Sequence, residues 1–238
     1  MNVPLLTWLA LDIETAGGRP EDAEAWMRQQ WAPSDKWKPA TIGERYLEML
    51  AKKRERLALL DASQIICVGL RGSDGGARAL HAMGHEPARS ISGAWVCGAE
   101  NEREMLVALR SLLDSQTDGE TALAGHNILA FDLPRLRNAY LRNLLRLPAC
   151  LAAARQPAFD IMREFCRRFS ADSEGMISLA DVCRRLGVPC HKSVLDGQCV
   201  PDLFAAKQSE AIVTYCLLDV VCEAEVFARM TGQSLALQ

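Results

Sequence analysis

The stretch Leu9–Thr15, with the sequence LALDIET, is an apolar run that ends in two carboxylates. Side chains alternate between the faces of a strand, so Asp12 and Glu14 share one face while Leu11 and Ile13 share the other. Two neighbouring acidic groups at the end of a buried strand repel each other, unless a cation lies between them. Mg²⁺ and Mn²⁺ suit such oxygen ligands. The alternative is an ordinary strand whose acidic residues reach solvent.

Length and composition are those of an ordinary globular protein. The 238 residues suffice for one large α/β domain or two small ones, and hydrophobic and charged contents are 49% and 24%. No apolar run approaches the roughly 20 residues that cross a membrane. The N-terminal stretch lacks the basic region of an export signal, so we predict a cytoplasmic protein without membrane association. The net charge of −3 excludes a protein that coats nucleic acid through bulk charge.

The nine cysteines are scattered through apolar or helical segments, and none forms a C-x-x-C pair. An odd number of cysteines without an export signal indicates reduced thiols and not a disulfide framework. His191 next to Cys190 is the only close pairing of histidine and cysteine. The sequence therefore disfavours a structural zinc site.

The first strand is predicted over residues 4–13, and Gly17–Pro20 then breaks the pattern. A polar, helical insertion follows over about residues 18–60, with helices over Glu21–Trp31 and Ile42–Leu59. Its lysines, arginines and tryptophans are typical either of a phosphate-binding surface or of a solvated helix face beside buried tryptophans. Both interpretations stay open.

After the insertion, the pattern alternates between short strands and helices. Capping residues and turn residues mark most boundaries. The predicted strands are 63–71, 77–83, 95–97, 121–125 and 158–160, and the predicted helices are 101–113, 133–145, 178–187 and 209–230. We found no internal repeat or linker, so we predict a single domain over residues 1–238. Its class is α/β, with a mixed β-sheet flanked by α-helices.

A second group of polar residues follows the predicted strand that ends at Gly125. His126 and Asn127 form a polar turn, and Asp132 lies at the start of a helix. A carboxylate is favoured there by the N–H groups at the start of the helix and by the helix dipole. Asp132 is thus either a partner for Asp12 and Glu14 or a plain helix cap.

A third group lies on the last helix, which is otherwise apolar. Tyr215 and Asp219 are four residues apart and therefore share one face. An aspartate among leucines, valines and a cysteine is costly to bury without a metal ion or a cationic partner. The alternative is a surface aspartate on an amphipathic helix.

Together, three motifs resemble the DEDD superfamily of 3′–5′ exonucleases. They are Asp12-Ile13-Glu14, Asn127-x-x-x-Phe131-Asp132 and Tyr215-x-x-x-Asp219. The tyrosine is typical of the DEDDy branch, since the DEDDh branch has histidine at the position of Thr214. The resemblance implies a ribonuclease-H-like fold.

Within that branch, the chain resembles stand-alone bacterial exonucleases related to the proofreading domain of family B DNA polymerases. The likeness runs from the first strand to the last helix and includes the helical insertion. The segment Lys192-x-x-x-Asp196-Gly197-x-x-Val200 contributes to it. His191 beside Lys192 and the cysteine-rich last helix depart from the pattern.

The resemblance implies hydrolysis with two divalent ions, Mg²⁺ or Mn²⁺, bound by four carboxylates. Asp12, Glu14 and Asp219 would hold the ion that carries the attacking water. Asp12 would bridge to the second ion, which Asp132 supports. Tyr215 would orient the water, because a phenol is a weak base at neutral pH.

The expected substrate is the single-stranded 3′ end of DNA, cleaved to nucleoside 5′-monophosphates. Candidate substrate-binding residues are Ile13, Thr15, His126, Asn127, Phe131 and Lys192. An exoribonuclease or oligonucleotidase is the nearest alternative, and a catalytically silent nucleic-acid-binding domain is another. The chain carries no polymerase pattern, so we do not expect proofreading in cis. Recruitment by a polymerase or repair protein through the insertion stays open.

Overall fold

The computed structural model describes residues 6–16, 24, 27–28, 31–55, 63–152, 157–170, 176–190 and 199–233. The chain divides into two compact units. One comprises Met1–Glu14 and Ile65–Gln238, and the other is Thr15–Gln64. The predicted insertion of about 18–60 falls within the second unit, and the single-domain assignment stays a prediction.

Within the described residues, seven strands form one mixed sheet in the order β4-β5-β3-β2-β1-β6-β7. The pairs β1–β6, β6–β7 and β3–β5 are parallel, whereas β2–β3 and β4–β5 are antiparallel. This confirms the predicted mixed α/β sheet. The strands are β1 (Trp8–Ala16), β2 (Gln64–Gly72), β3 (Ala77–His81), β4 (Glu86–Ile91), β5 (Ala94–Gly98), β6 (Ala122–Gly125) and β7 (Ala158–Asp160).

The helices that the structure describes differ widely in length, and the longest is the last. They are α1 (Pro39–Glu55), α2 (Glu102–Gln116), α3 (Asp132–Arg142), α4 (Ala149–Ala152), α5 (Ile161–Phe169), α6 (Leu179–Leu186), α7 (Val200–Ala205) and α8 (Ser209–Thr231). Among the described residues, no helix combines the length and apolar character that crossing a membrane requires.

Strand β1 is covered by apolar layers on both faces. Leu9, Leu11 and Ile13 belong to the main core cluster, which includes apolar residues of α2 and α3. Trp8 and Ala10 pack on the opposite face with apolar residues of α8. Asp12 and Glu14 continue this second series, so strand alternation directs them to the side of the sheet that α8 covers.

The structure contains the turn between β2 and β3 and the cap of α6 that short sequence patterns predict. Asp74 Oδ1 accepts a hydrogen bond from the backbone N–H of Gly76 in the turn between β2 and β3. Ser178 Oγ accepts from the backbone N–H of Asp181 and caps α6. Gly187 ends that helix at φ 65°, a left-handed conformation that glycine adopts without strain.

Some elements were not predicted. Strand β4 contains Pro87 and largely exposed side chains, which is typical of an edge strand and weakens the usual strand pattern. Helix α5 follows β7 directly and is capped by Asp160, which also ends the strand. The first predicted helix of the insertion lies largely outside the described residues, and α1 begins at Pro39, three residues before the predicted start.

Candidate active site

Asp12 and Glu14 lie close together at the end of β1 and meet Cys216 of α8. One ligand atom from each of the three residues lies within 4.8 Å of the other two. The Cys216 thiol is 3.6 Å from Asp12 Oδ2 and 3.7 Å from the Asp12 carbonyl oxygen, and it donates toward both. The structure therefore brings the first motif to the helix that carries the third. We call Asp12, Glu14 and Cys216 the carboxylate cluster.

Helix α8 approaches the sheet closely at Cys216. A Cβ atom on Gly69 of β2 would lie 2.9 Å from Cys216 Sγ and 3.0 Å from its carbonyl oxygen. Hydrogen bonding with Cys67, burial and the charges of Asp12 and Glu14 raise the pKa of the Cys216 thiol. The thiol therefore stays protonated and acts as a hydrogen-bond donor to Asp12.

Tyr215 and Asp219 lie on the same helix, and both are buried. Asp219 is 4% exposed and Tyr215 6%. Their surroundings are largely apolar, because α8 contributes most of its residues to the interior. This burial excludes the alternative of a surface aspartate at position 219. A buried carboxylate requires compensation by hydrogen bonds, cations or protonation.

Asp132 begins α3, as predicted, and is linked to β1. Its Oδ1 atom accepts a hydrogen bond from the backbone N–H of Ile13 at 3.1 Å. Burial raises the pKa of Asp132 to about 7, although the N–H of Ile13 and the charge of Arg135 act in the opposite direction. The negative charge of Asp160 contributes to the increase. A cation beside this carboxylate would relieve that cost.

The loop between β6 and α3 is held in place by buried carboxylates. Glu223 of α8 accepts from the backbone N–H of His126 at 2.7 Å, and Asp160 accepts from that of Leu129 at 3.2 Å. His126 Nε2 lies 2.8 Å from the carbonyl oxygen of Ile177, to which it donates. The loop therefore has a defined conformation next to the carboxyl ends of β1, β6 and β7.

Asn127 has a structural reason to be asparagine. Its φ angle is 62°, and asparagine tolerates this left-handed region better than most residues. Its carbonyl oxygen accepts from the backbone N–H groups of Ala130 and Phe131 at 3.1 and 3.0 Å. The turn thereby leads the chain directly into α3 and places Asp132 at the start of that helix.

Phe131 is half-buried and stacks against a cation. The guanidinium carbon of Arg135 lies 3.8 Å from the centroid of the Phe131 ring. Arg135 is buried and also donates to the carbonyl oxygen of Phe131 at 3.4 Å. Arg135 thus covers one face of the Phe131 ring.

The other predicted substrate-binding residues differ in burial, and one of them lies outside the described residues. Ile13 is 3% exposed within the main core, which is a sufficient reason for its apolar side chain. Thr15 is buried as well. Lys192 lies outside the described residues. For all of these, and for His126, Asn127 and Phe131, contact with a substrate stays a prediction.

Four residues that support the site were not predicted from the sequence. Cys216 resembles the other apolar residues of its helix, and Asp160 is indistinguishable from an ordinary strand end. Glu223 follows Asp219 by four residues, as Asp219 follows Tyr215. The same spacing therefore puts Glu223 on the helix face that carries Tyr215 and Asp219. Arg135 lies one turn after Phe131, which also marks it as a neighbour.

The match to a family defines the class of protein. The description of that family is "Predicted 3'-5' exonuclease related to the exonuclease domain of PolB", and its model matches residues 90–237. Since the match covers more than half of the 238 residues, the chain belongs to this family. The matched range includes Asp132, Tyr215 and Asp219, whereas Asp12 and Glu14 precede it. No curated protein shows a significant match.

Proposed function

We propose that this protein is a metal-dependent 3′–5′ exonuclease that removes nucleoside 5′-monophosphates from single-stranded 3′ ends of DNA, on a ribonuclease-H-like fold. The observation that carries the proposal is the convergence of Asp12 and Glu14 with Cys216, which lies between Tyr215 and Asp219 on α8. The proximity of β1 and α8 at these residues supports a site built from the first and third motifs. Membership of a family of predicted 3′–5′ exonucleases supports the same activity.

The donor set fits two divalent cations with a preference for oxygen. Asp12 and Glu14 lie close together, Asp132 and Asp219 are buried carboxylates, and burial raises the pKa of Asp132 to about 7. Such groups favour a nearby positive charge, and Mg²⁺ and Mn²⁺ prefer carboxylate oxygens. Bound Mg²⁺ or Mn²⁺ would activate water and neutralise charge on the phosphate.

Each protein side chain then has a limited role in hydrolysis. Asp12 would bridge the two ions, Glu14 and Asp219 would complete one site, and Asp132 would support the other. Tyr215 would orient the attacking water, whose oxygen bonds to phosphorus while the bond from phosphorus to the 3′ oxygen breaks. That oxygen takes up a proton and becomes the new 3′ hydroxyl end.

The protein would hold the terminal nucleotide against Phe131. Bases stack on aromatic rings regardless of sequence, and Arg135 behind the ring limits its movement. Asn127, His126, Thr15, Ile13 and Lys192 are the remaining proposed substrate contacts.

A labelled-oligonucleotide assay tests the proposal. The protein is incubated with a 5′-labelled single strand and Mg²⁺ or Mn²⁺, and we expect a ladder that shortens from the 3′ end. Asp12→Ala should abolish the ladder. Glu120→Gln, which changes an exposed acid in the loop before β6, is the matched control and should keep it.

The same assay separates the alternatives. Faster cleavage of a matched RNA strand would favour an exoribonuclease or oligonucleotidase over a DNA exonuclease. A catalytically silent domain would give no ladder on either polymer. In that case, Mn²⁺-dependent thermal stabilisation that is lost in Asp12→Ala would show that the metal site exists without activity.

A further inference from the structure

Three cysteines, none of which belongs to the carboxylate cluster, lie close together where α6 contacts α8. They are Cys183 on α6, Cys190 in the segment after α6, and Cys222 on α8. All three sulfur atoms lie within 4.8 Å of one another. Cys183 and Cys222 are buried, and Cys190 is half-buried. We call these residues the cysteine cluster.

The backbone around the cysteine cluster is fixed in several ways. The left-handed Gly187 ends α6, and the N–H of Val188 donates back to the carbonyl oxygen of Cys183 at 2.9 Å. The chain thereby turns toward α8, where the Cys222 thiol lies 3.7 Å from the carbonyl oxygen of Pro189. The positions of the sulfur atoms therefore follow from a defined turn and two helices.

The simplest alternative treats the three cysteines as small apolar residues, since they adjoin a cluster containing Phe165, Val182 and Val226. Apolar packing requires only that each sulfur contact carbon atoms. It does not require three sulfurs from separate segments to converge on one point. Four thiolates around zinc lie about 3.8 Å apart, given a Zn–S distance of about 2.3 Å. The limit of 4.8 Å between the three sulfur atoms includes that spacing.

We propose that the cysteine cluster binds one zinc ion through the thiolates of Cys183, Cys190 and Cys222. Three sulfur ligands suit a borderline-soft cation and do not suit Mg²⁺ or Mn²⁺. The fourth position is filled by water or another donor. Because metal binding displaces the thiol protons, zinc affinity rises with pH.

A zinc ion there would join α6 and the turn after it to α8. Cys222 follows Asp219 by three residues on α8, so the ion would fix the helix one turn beyond the proposed catalytic aspartate. The proposed role is structural, and its readout does not depend on nuclease activity.

Metal analysis of the full-length protein tests the proposal. Protein purified under reducing conditions, or stripped and then reconstituted with Zn²⁺, should retain about one zinc per chain after dialysis against Mg²⁺. Replacement by Co²⁺ should give the thiolate-to-cobalt charge-transfer band of a sulfur-rich site. Removal of the zinc with a chelator should lower Tm by at least about 5 °C.

Variants locate the ion. Cys183→Ala and Cys222→Ala should each lose the zinc and the cobalt band. Cys216→Ala, at a cysteine of the carboxylate cluster, and Cys199→Ser, at an exposed cysteine, should keep both. If a cysteine-cluster variant does not fold, the cobalt spectrum of the wild-type and Cys216→Ala proteins still decides the question.

Three results would overturn the proposal. The first is reconstituted wild-type protein without thiolate-bound metal. The second is a cobalt band that disappears in Cys216→Ala. The third is a disulfide between two of the three cysteines in protein kept under reducing conditions.

Discussion

Helix α8 carries two groups of possible metal ligands that differ in chemistry. Toward its N-terminus, Cys216 meets Asp12 and Glu14 of β1, and nearer its middle, Cys222 meets Cys183 and Cys190. Both groups have a cysteine of the same helix, so the helix alone does not determine their preference. The partners do, because carboxylates prefer Mg²⁺ or Mn²⁺ and thiolates prefer zinc.

The two cysteines also show how the partner changes the role of a thiol. Hydrogen bonding with Cys67, burial and, to a smaller extent, the charges of Asp12 and Glu14 raise the pKa of the Cys216 thiol, which donates a hydrogen bond to Asp12. Cys222 faces two other thiols, and a cation would convert all three to ligands. Cys216 is accordingly expected to support a metal site, and Cys222 to form one.

Loss of the bridging carboxylate should have the largest effect. Asp12→Asn is expected to lower kcat by about 10³-fold or more, because Asp12 would serve both catalytic ions. Glu14→Gln should keep more activity, since Glu14 would serve only one. Steady-state rates of release of nucleoside monophosphates measure both. The reverse ranking would contradict the assigned roles, and zinc content should be the same in both variants.

The stability of the metal-free protein should depend on pH through the carboxyl group of Asp132. Its pKa is about 7 in the folded chain against an ordinary 3.8, so between these values the folded state binds more protons than the unfolded state. In EDTA, the free energy of unfolding should therefore fall as pH rises from about 4 to 7, by up to about 4 kcal/mol. Urea denaturation at a series of pH values measures this decrease.

Asp132→Asn is the matched variant for that experiment. The amide oxygen can still accept from the N–H of Ile13, but the side chain no longer titrates. The decrease should become smaller in this variant. An unchanged pH profile would show that another group is responsible for it.

Removal of the thiol beside Asp12 should weaken binding of the catalytic metal without affecting zinc. Cys216→Ala is expected to raise the Mn²⁺ concentration for half-maximal activity by about 10-fold, which is typical of groups that hold metal ligands in place. Metal titration of the rate measures this, with Cys199→Ser as the control. Loss of zinc in Cys216→Ala would mean that the two clusters are not independent.

The smallest effect is expected at the stacking residue. Arg135→Lys keeps the charge but loses the planar group over Phe131, so KM for an oligonucleotide should rise about 3-fold with little change in kcat. Arg146→Lys, an exposed arginine beyond α3, is the control. A decrease in kcat with unchanged KM would contradict a role in holding the nucleotide.

The sequence was sufficient for those features that local pattern determines. The alternation in Leu9–Thr15 predicts that Asp12 and Glu14 share one face of β1, and the capping residues Asn101 and Ser178 predict the starts of α2 and α6. The mixed sheet follows from the order of these elements. The polar edge strand β4 escapes such patterns, because Pro87 and exposed side chains resemble a loop.

Features that depend on distant contacts could not be predicted in this way. Sequence spacing disfavours zinc because His191 next to Cys190 is the only close pairing of histidine and cysteine, yet the fold brings Cys222 to Cys183 and Cys190. The role of Asp160 likewise depends on a distant contact, because it accepts a hydrogen bond from Leu129, 31 residues earlier in the chain.

The contact between Asp12 and Cys216 has a consequence for biosynthesis. The two residues are 204 positions apart, so β1 leaves the ribosome long before α8 does. Until α8 is made, the proposed nuclease site lacks Tyr215 and Asp219, and β1 lacks the helix that covers one of its faces. A nascent or prematurely terminated chain would therefore be unable to degrade nucleic acid, and its exposed strand would be a target for chaperones and proteases.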